Sequence, residues 1–125
     1  MNTTGGGIRR LLVANRGEIA VRILRAAKAL DIETVLACSE ADRDSLAARQ
    51  ADAVVVIGPA RADRSYLNIE ALLTALRDSG ADAVHPGYGF LAENAAFADA
   101  VEEAGAVFVG PSGDIIRRID RKSVV

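Results

Sequence analysis

Residues 11–38 read LLVANRGEIAVRILRAAKALDIETVLAC, and their patterning decides the fold. Leu11–Ala14 is a short apolar run, followed by the polar turn residues Asn15, Arg16 and Gly17. Ile19, Ile23, Ala27 and Leu30 then recur at helical spacing, and Thr34–Cys38 is a second apolar run. Neither run alternates with polar residues, so each predicts a strand covered on both faces, as in parallel sheets. This is one strand–helix–strand unit. Further runs at Ala53–Ile57, Ala83–Val84 and Ala106–Val109 alternate with helical stripes at Ile69, Leu72, Leu73 and Leu76 and at Phe97, Val101 and Ala104. Residues 42–51 carry only a short, weak helical pattern, and Gly80, Gly105 and Gly110 stand where helices stop or strands end. The alternation predicts an α/β class with a doubly wound parallel sheet of about five strands, Rossmann-like, with right-handed crossovers.

Composition narrows the function. The chain has 125 residues, of which 50% are apolar and 26% charged, with 15 basic against 17 acidic side chains. That suits one globular domain. The charges are interspersed, without the basic stripe of a nucleic-acid surface or an apolar run long enough to span a membrane. Cys38 is the single cysteine and reads as a core thiol; with one histidine it cannot build a zinc site, and the expectation is a cytoplasmic protein without a metal site. Residues 1–7, MNTTGGG, read as a flexible tail and not a signal peptide. At the other end, PSGDIIRRIDRKSVV begins a helix with Ser112 as N-cap and Ile115, Ile116 and Ile119 on one face. The chain then stops, which is the expectation for a cut through something larger, with residues 123–125 as its truncated end.

Ligands of open parallel sheets lie beyond the carboxyl ends of the strands. The first such segment, ANRGEI, lacks the G-x-G-x-x-G of dinucleotide binding, and no P-loop pattern occurs. A phosphoreceiver would need acids where Asn15 and Gly58 stand. HPGYGFLAEN, at 85–94, follows the fourth strand and holds the only histidine, His85. Pro86 fixes a torsion, Gly87 and Gly89 permit positive torsions and close approach, and Tyr88 and Phe90 offer flat apolar surface. Two readings stay open: a loop that clasps a flat, polar-edged molecule, or a rigid turn whose aromatics plug the core. Glu93 suits the positive end of the next helix. Arg16, Arg22 and Arg25 lie on or near the first helix, with Glu18 and Arg22 spaced i, i+4; they form a solvated face or a subunit interface.

ANRGEIAVRILRAAK at 14–28, ADRDS at 41–45, IGPA at 57–60, SYLNI at 65–69, HPGYGFLAEN at 85–94 and FVGPS at 108–112 together resemble the N-terminal, pre-ATP-grasp subdomain of biotin carboxylase. This is the component of acetyl-CoA, propionyl-CoA and related carboxylases that carboxylates biotin with ATP and bicarbonate. The resemblance spans residues 8–122. It implies that Tyr88 and Gly89 line a biotin pocket, on a loop whose scaffold includes His85, Pro86, Gly87 and Glu93. It matches Lys122 to an ATP-binding lysine, although IDRK stands here where the family has M-G-D-K. It also matches Arg22 and Arg25 to a homodimer contact, with Ala29 where some bacterial members carry an acid. The implied cofactors of the parent enzyme are biotin and ATP with Mg, none held tightly by this chain alone, and no catalytic residue falls within it. The implied partners are the remaining biotin carboxylase region, the biotin carrier and the carboxyltransferase. The alternative reading is a stand-alone, non-catalytic domain that binds a partner or itself.

Overall fold

The computed structural model describes residues 7–110. Five parallel strands form one sheet in the order β3-β2-β1-β4-β5: β1 (Arg10–Val13), β2 (Glu33–Ser39), β3 (Ala53–Gly58), β4 (Ala83–His85) and β5 (Val107–Phe108). Four α-helices connect them: α1 (Gly17–Ala29), α2 (Leu46–Gln50), α3 (Ile69–Ser79) and α4 (Ala95–Glu103). The chain steps outward from β1 to β3, then returns to pair β4 with β1 on its other side. Right-handed crossovers therefore put α1 and α2 on one face and α3 and α4 on the other, and each pair packs together. The doubly wound parallel sheet expected from the sequence is the one observed, and each strand lies within a residue or two of its apolar run.

The core is centred on β1. Leu12 lies in register with Val35 and Val84, and Val13 with Leu36 and His85; Leu12, Val13, Leu36 and Val84 are buried. Carboxylates fix where the strands begin: Asp82 accepts from the backbone N–H groups of Arg9 and Arg10, and Asp52 from that of Thr34. Ser45, Asn68 and Asn94 cap α2, α3 and α4 by accepting from Ala48, Ala71 and Phe97 N–H, each satisfying a donor the helix leaves free.

Three local expectations are corrected. The stripe Ile19, Ile23, Ala27, Leu30 is not the buried face of α1; that face is Ala20, Val21, Leu24 and Ala27, while Leu30 is 71% exposed. The helix is apolar on two sides, and the side bearing Ala20, Val21 and Leu24 is the buried one. Strand β3 is not covered on both faces, because it is an edge with Val54 and Val56 exposed. Ala104 lies past the end of α4 as its exposed C-cap. The expected tail at 1–7 falls outside the described residues but for Gly7, as do Ser112, the isoleucines after it, Lys122 and residues 123–125.

Candidate functional site at the switch point

Strands β1 and β4 are neighbours whose chains leave toward opposite faces of the sheet, and such a switch point opens a crevice beyond the strand ends. Two segments frame it: Asn15–Gly17 after β1, and the loop of residues 86–94 after β4. They are tied together by Asn15, which is 2% exposed. Its Nδ2 donates to the carbonyls of Pro86 and Tyr88, both at 2.8 Å, while its Oδ1 accepts from Arg16 N–H at 2.8 Å. All its hydrogen-bonding atoms are thus engaged.

Gly87, with φ of +71°, passes so close that an added Cβ would stand 2.6 Å from Asn15 Nδ2 and 2.9 Å from Ile19 Cγ2. Its N–H donates to His85 Nδ1 at 3.1 Å. Burial lowers the His85 pKa, favouring the neutral ring whose bare Nδ1 accepts that bond. Tyr88 then projects outward, 78% exposed, and beside it Gly89 has no atom within 4 Å of where a Cβ would stand.

Phe90 behaves differently from Tyr88. Its φ of 45° lies in the left-handed region, and its ring stacks on Tyr66 with centroids 4.8 Å apart. Of the two aromatics expected to offer flat surface, only Tyr88 stands out in solvent, while Phe90 is half-buried at the edge of the cleft. The inward-packing reading of the loop holds for Phe90 and not for Tyr88, whose ring faces solvent.

Under Phe90 lies a polar cluster. Asp42 receives Arg16 through Nε at 2.8 Å and a terminal nitrogen at 3.0 Å, Tyr66 Oη at 2.5 Å and Ser39 Oγ at 3.2 Å. The Arg16 guanidinium holds the Asp42 carboxyl below the usual range, and Asp42 in turn raises the pKa of Arg16. Burial and then the Asp42 hydrogen bond push the Tyr66 phenol up to about 12, so it stays protonated and donates. Tyr66 Oη also accepts from Ser39 N–H at 3.1 Å. The cluster joins the ends of β1 and β2 to the aromatic support of the β4 loop.

Two openings flank this frame. A cleft of about 420 Å3 is bounded by Asn15, Arg16, Gly17, Glu18, Tyr88 and Gly89. An apolar groove of about 610 Å3 runs beside it, lined by Ile8, Ile19, Ile23, Leu30 and Val109 and reaching His85 and Tyr88. The cleft presents peptide edges, a phenol and an arginine already engaged by Asp42, an arrangement that can bind and orient a flat ligand from one side. Among the described residues, no group of three or more His, Cys, Asp or Glu is placed to hold a metal ion.

The structure thus brings His85, Pro86, Gly87, Tyr88 and Gly89 together with Asn15. Glu93 is exposed and precedes the cap Asn94, outside the first helical turn. Arg22 and Arg25 are exposed on α1, where Arg22 reaches Glu18 at 3.3 Å, and Ala29 is exposed beside them. Cys38 is fully buried, and burial pushes its thiol up to about 11. Asn15, Asp42 and Tyr66 carry structural roles that the sequence reading did not assign. The available signal was an amide and an acid placed just after apolar strands, where buried polar side chains need partners.

The parallel sheet in the order β3-β2-β1-β4-β5, with helices on both faces, defines a doubly wound α/β domain. The sequence model described as "Biotin carboxylase, N-terminal domain" matches residues 7–116, and the chain belongs to that family. Biotin carboxylase 1 of Bacillus subtilis is 53% identical over 117 residues, covering 94% of this chain and 26% of the relative. The mitochondrial methylcrotonoyl-CoA carboxylase subunit alpha of Mus musculus is 46% identical over 121 residues, covering 97% and 17%. Among solved structures, the biotin carboxylase subunit of pyruvate carboxylase superposes with a TM-score of 0.84 at 47% identity, over 89% of this chain and 24% of the other. Kluyveromyces lactis urea carboxylase does so with a TM-score of 0.87 at 44% identity, over 89% and 10%. The chain spans about a quarter or less of the length of these relatives.

Proposed function

We propose that this chain forms one wall of an ATP- and bicarbonate-dependent biotin carboxylation site, with Tyr88 and Gly89 as its biotin-facing residues. The observation that carries the reading is the braced β4 loop, which leaves the Tyr88 ring 78% exposed beside the open side of Gly89. A bicyclic ligand with a polar edge fits such a surface: the ring covers its apolar face and the peptide edge meets its polar atoms. When bound, ATP with Mg activates bicarbonate and biotin carries the carboxyl group. Within this chain, Asn15 and His85 hold the loop, Tyr88 and Gly89 orient the ligand, and Lys122 is the residue proposed to reach the nucleotide. Arg22 and Arg25, exposed on α1, suit contact with a second copy or with further carboxylase regions; a 2-oxoglutarate carboxylase relative is described as a biotin carboxylase domain dimer. The buried, unpaired thiol of Cys38 is compatible with a cytoplasmic setting.

A single wall leaves most of the ligand in water, whereas effective sites bury about 70 to 90% of it. Phosphoryl transfer also relies on clamping that supplies about 7 to 11 kcal/mol of the barrier. The chain alone is therefore expected to bind free biotin at millimolar affinity or weaker and to show no turnover. Two measurements test this. In a free-biotin titration followed by amide NMR, shifts confined to Tyr88, Gly89 and their neighbours support the wall, and shifts elsewhere or none reject it. Bicarbonate-dependent ADP release above background that disappears in Lys122→Ala would show that the chain carries a complete site.

A further inference from the structure

We infer that Asn15 is the positioning residue for the biotin-facing loop, an inference that rests on the reading of Tyr88 and Gly89 given above. Asn15 borders the cleft from beneath and is only 2% exposed, two residues past the end of β1. Its two Nδ2 hydrogens go to alternate carbonyls of the loop, Pro86 and Tyr88. Peptide units are planar and trans, so N–H and C=O of one unit point in opposite directions. Drawing the Tyr88 carbonyl onto Asn15 therefore turns the N–H of Gly89, an exposed residue, away from Asn15 and the buried side of the loop. One buried side chain thereby sets the direction of a donor that faces the ligand.

The residue type is specified by this geometry. Aspartate is isosteric but would place a carboxylate against two carbonyls, with no donor for either. Serine has one donor for two acceptors. Asn15 Oδ1 is also used, accepting from Arg16 N–H and holding the first residues of α1 in step with the loop. Gly87 completes the fit, because its missing Cβ leaves the space that Asn15 occupies. The loop is gripped from β1 at Pro86 and Tyr88, by His85 at Gly87, and by Tyr66 at Phe90.

The test uses the 125-residue chain and its Asn15→Ala and Asn15→Asp variants, below their unfolding temperatures. In the parent, 15N relaxation should give order parameters for Gly87, Tyr88 and Gly89 near the rigid-backbone value of about 0.85; in the variants they should fall below about 0.6, with Val101 in α4 unchanged. Affinity for free biotin, read from the same amides, should weaken at least tenfold. A loop as rigid as the parent's in a folded variant, with an unaltered biotin response, overturns the assignment. If neither variant folds, exchange of the Asn15 side-chain amide protons in the parent decides: at least tenfold slower than free asparagine supports it, and equal rates overturn it. A loop that loosens in the variants while the parent shows no biotin response would keep Asn15 as the loop's anchor and reject the biotin wall.

Discussion

Gly87 and Gly89 have nearly the same backbone torsion and very different surroundings, which makes their alanine variants a controlled comparison. Their φ values are +71° and +73°, but a Cβ at Gly87 would meet Asn15 and Ile19 at 2.6 to 3.0 Å, whereas one at Gly89 meets nothing within 4 Å. Left-handed torsion strains an L-residue by about 1 to 2 kcal/mol, and the narrower unfolded ensemble of alanine offsets about 0.4 to 1 kcal/mol of that. Gly89→Ala should therefore destabilise by about 1 kcal/mol. Gly87→Ala adds overpacking against the base of the loop, typically about 1 to 3 kcal/mol, for a total of about 2 to 4 kcal/mol. Urea unfolding followed by circular dichroism reads both, with a midpoint lowered by about 1 to 2 M for Gly87→Ala. Equal losses in the two variants would refute the claim that close approach to Asn15, and not torsion, makes Gly87 necessary.

Two further expectations follow from the buried groups. Asp42 titrates below the ordinary aspartate range because Arg16 and Tyr66 hold its ionised form; its contribution is present above the unfolded pKa of about 4 and lost as pH falls through the folded value. Asp42→Asn should cost about 1.5 to 3 kcal/mol at pH 7 and flatten the acid limb of a stability–pH curve measured from pH 6 to 2; an unchanged limb would count against the cluster. The Cys38 thiol, buried and pushed up to about 11, should not react with a disulfide reagent at pH 8 until the protein unfolds. Stoichiometric labelling of the native chain within minutes would contradict that burial.

The doubly wound parallel sheet was legible because the apolar runs are continuous and the helices between them periodic, so Leu12, Leu36 and Val84 announce a parallel core. The face of α1 was harder to read, since Ile19 and Ile23 are larger than Ala20 and Val21 and make the stronger apparent stripe. Which of two apolar sides meets the sheet depends on how the helix docks, and a hydropathy pattern does not report it. The loop at 85–94 was legible through its unusual residues, and its resemblance to biotin carboxylase led to the family the comparisons show. Its supports were not legible. Tyr66 and Asp42 lie 24 positions apart, and Asn15 meets the Tyr88 carbonyl across 73; such contacts exist only once the sheet has ordered its strands. Tyr88 and Phe90 alternate in sequence like equivalent aromatics, yet one packs inward because a partner, Tyr66, is brought beneath it.

The central place of β1 carries a consequence for how the domain assembles. On one side it pairs with β2, where Arg10 and Glu33 are 23 positions apart; on the other it pairs with β4, where Arg10 meets Asp82 at a separation of 72. Closing the shorter loop demands less chain entropy, so the β1–α1–β2 half is expected to form first as the polypeptide emerges, and β4 to dock onto a waiting strand. Because Asn15 follows β1 and its acceptors follow β4, the ligand-facing loop takes shape only in that second, non-local step. A mutation that slows docking of β4 would then yield a chain with near-complete helix signal and an unformed binding edge, a kinetic defect that equilibrium measurements on the finished fold would miss.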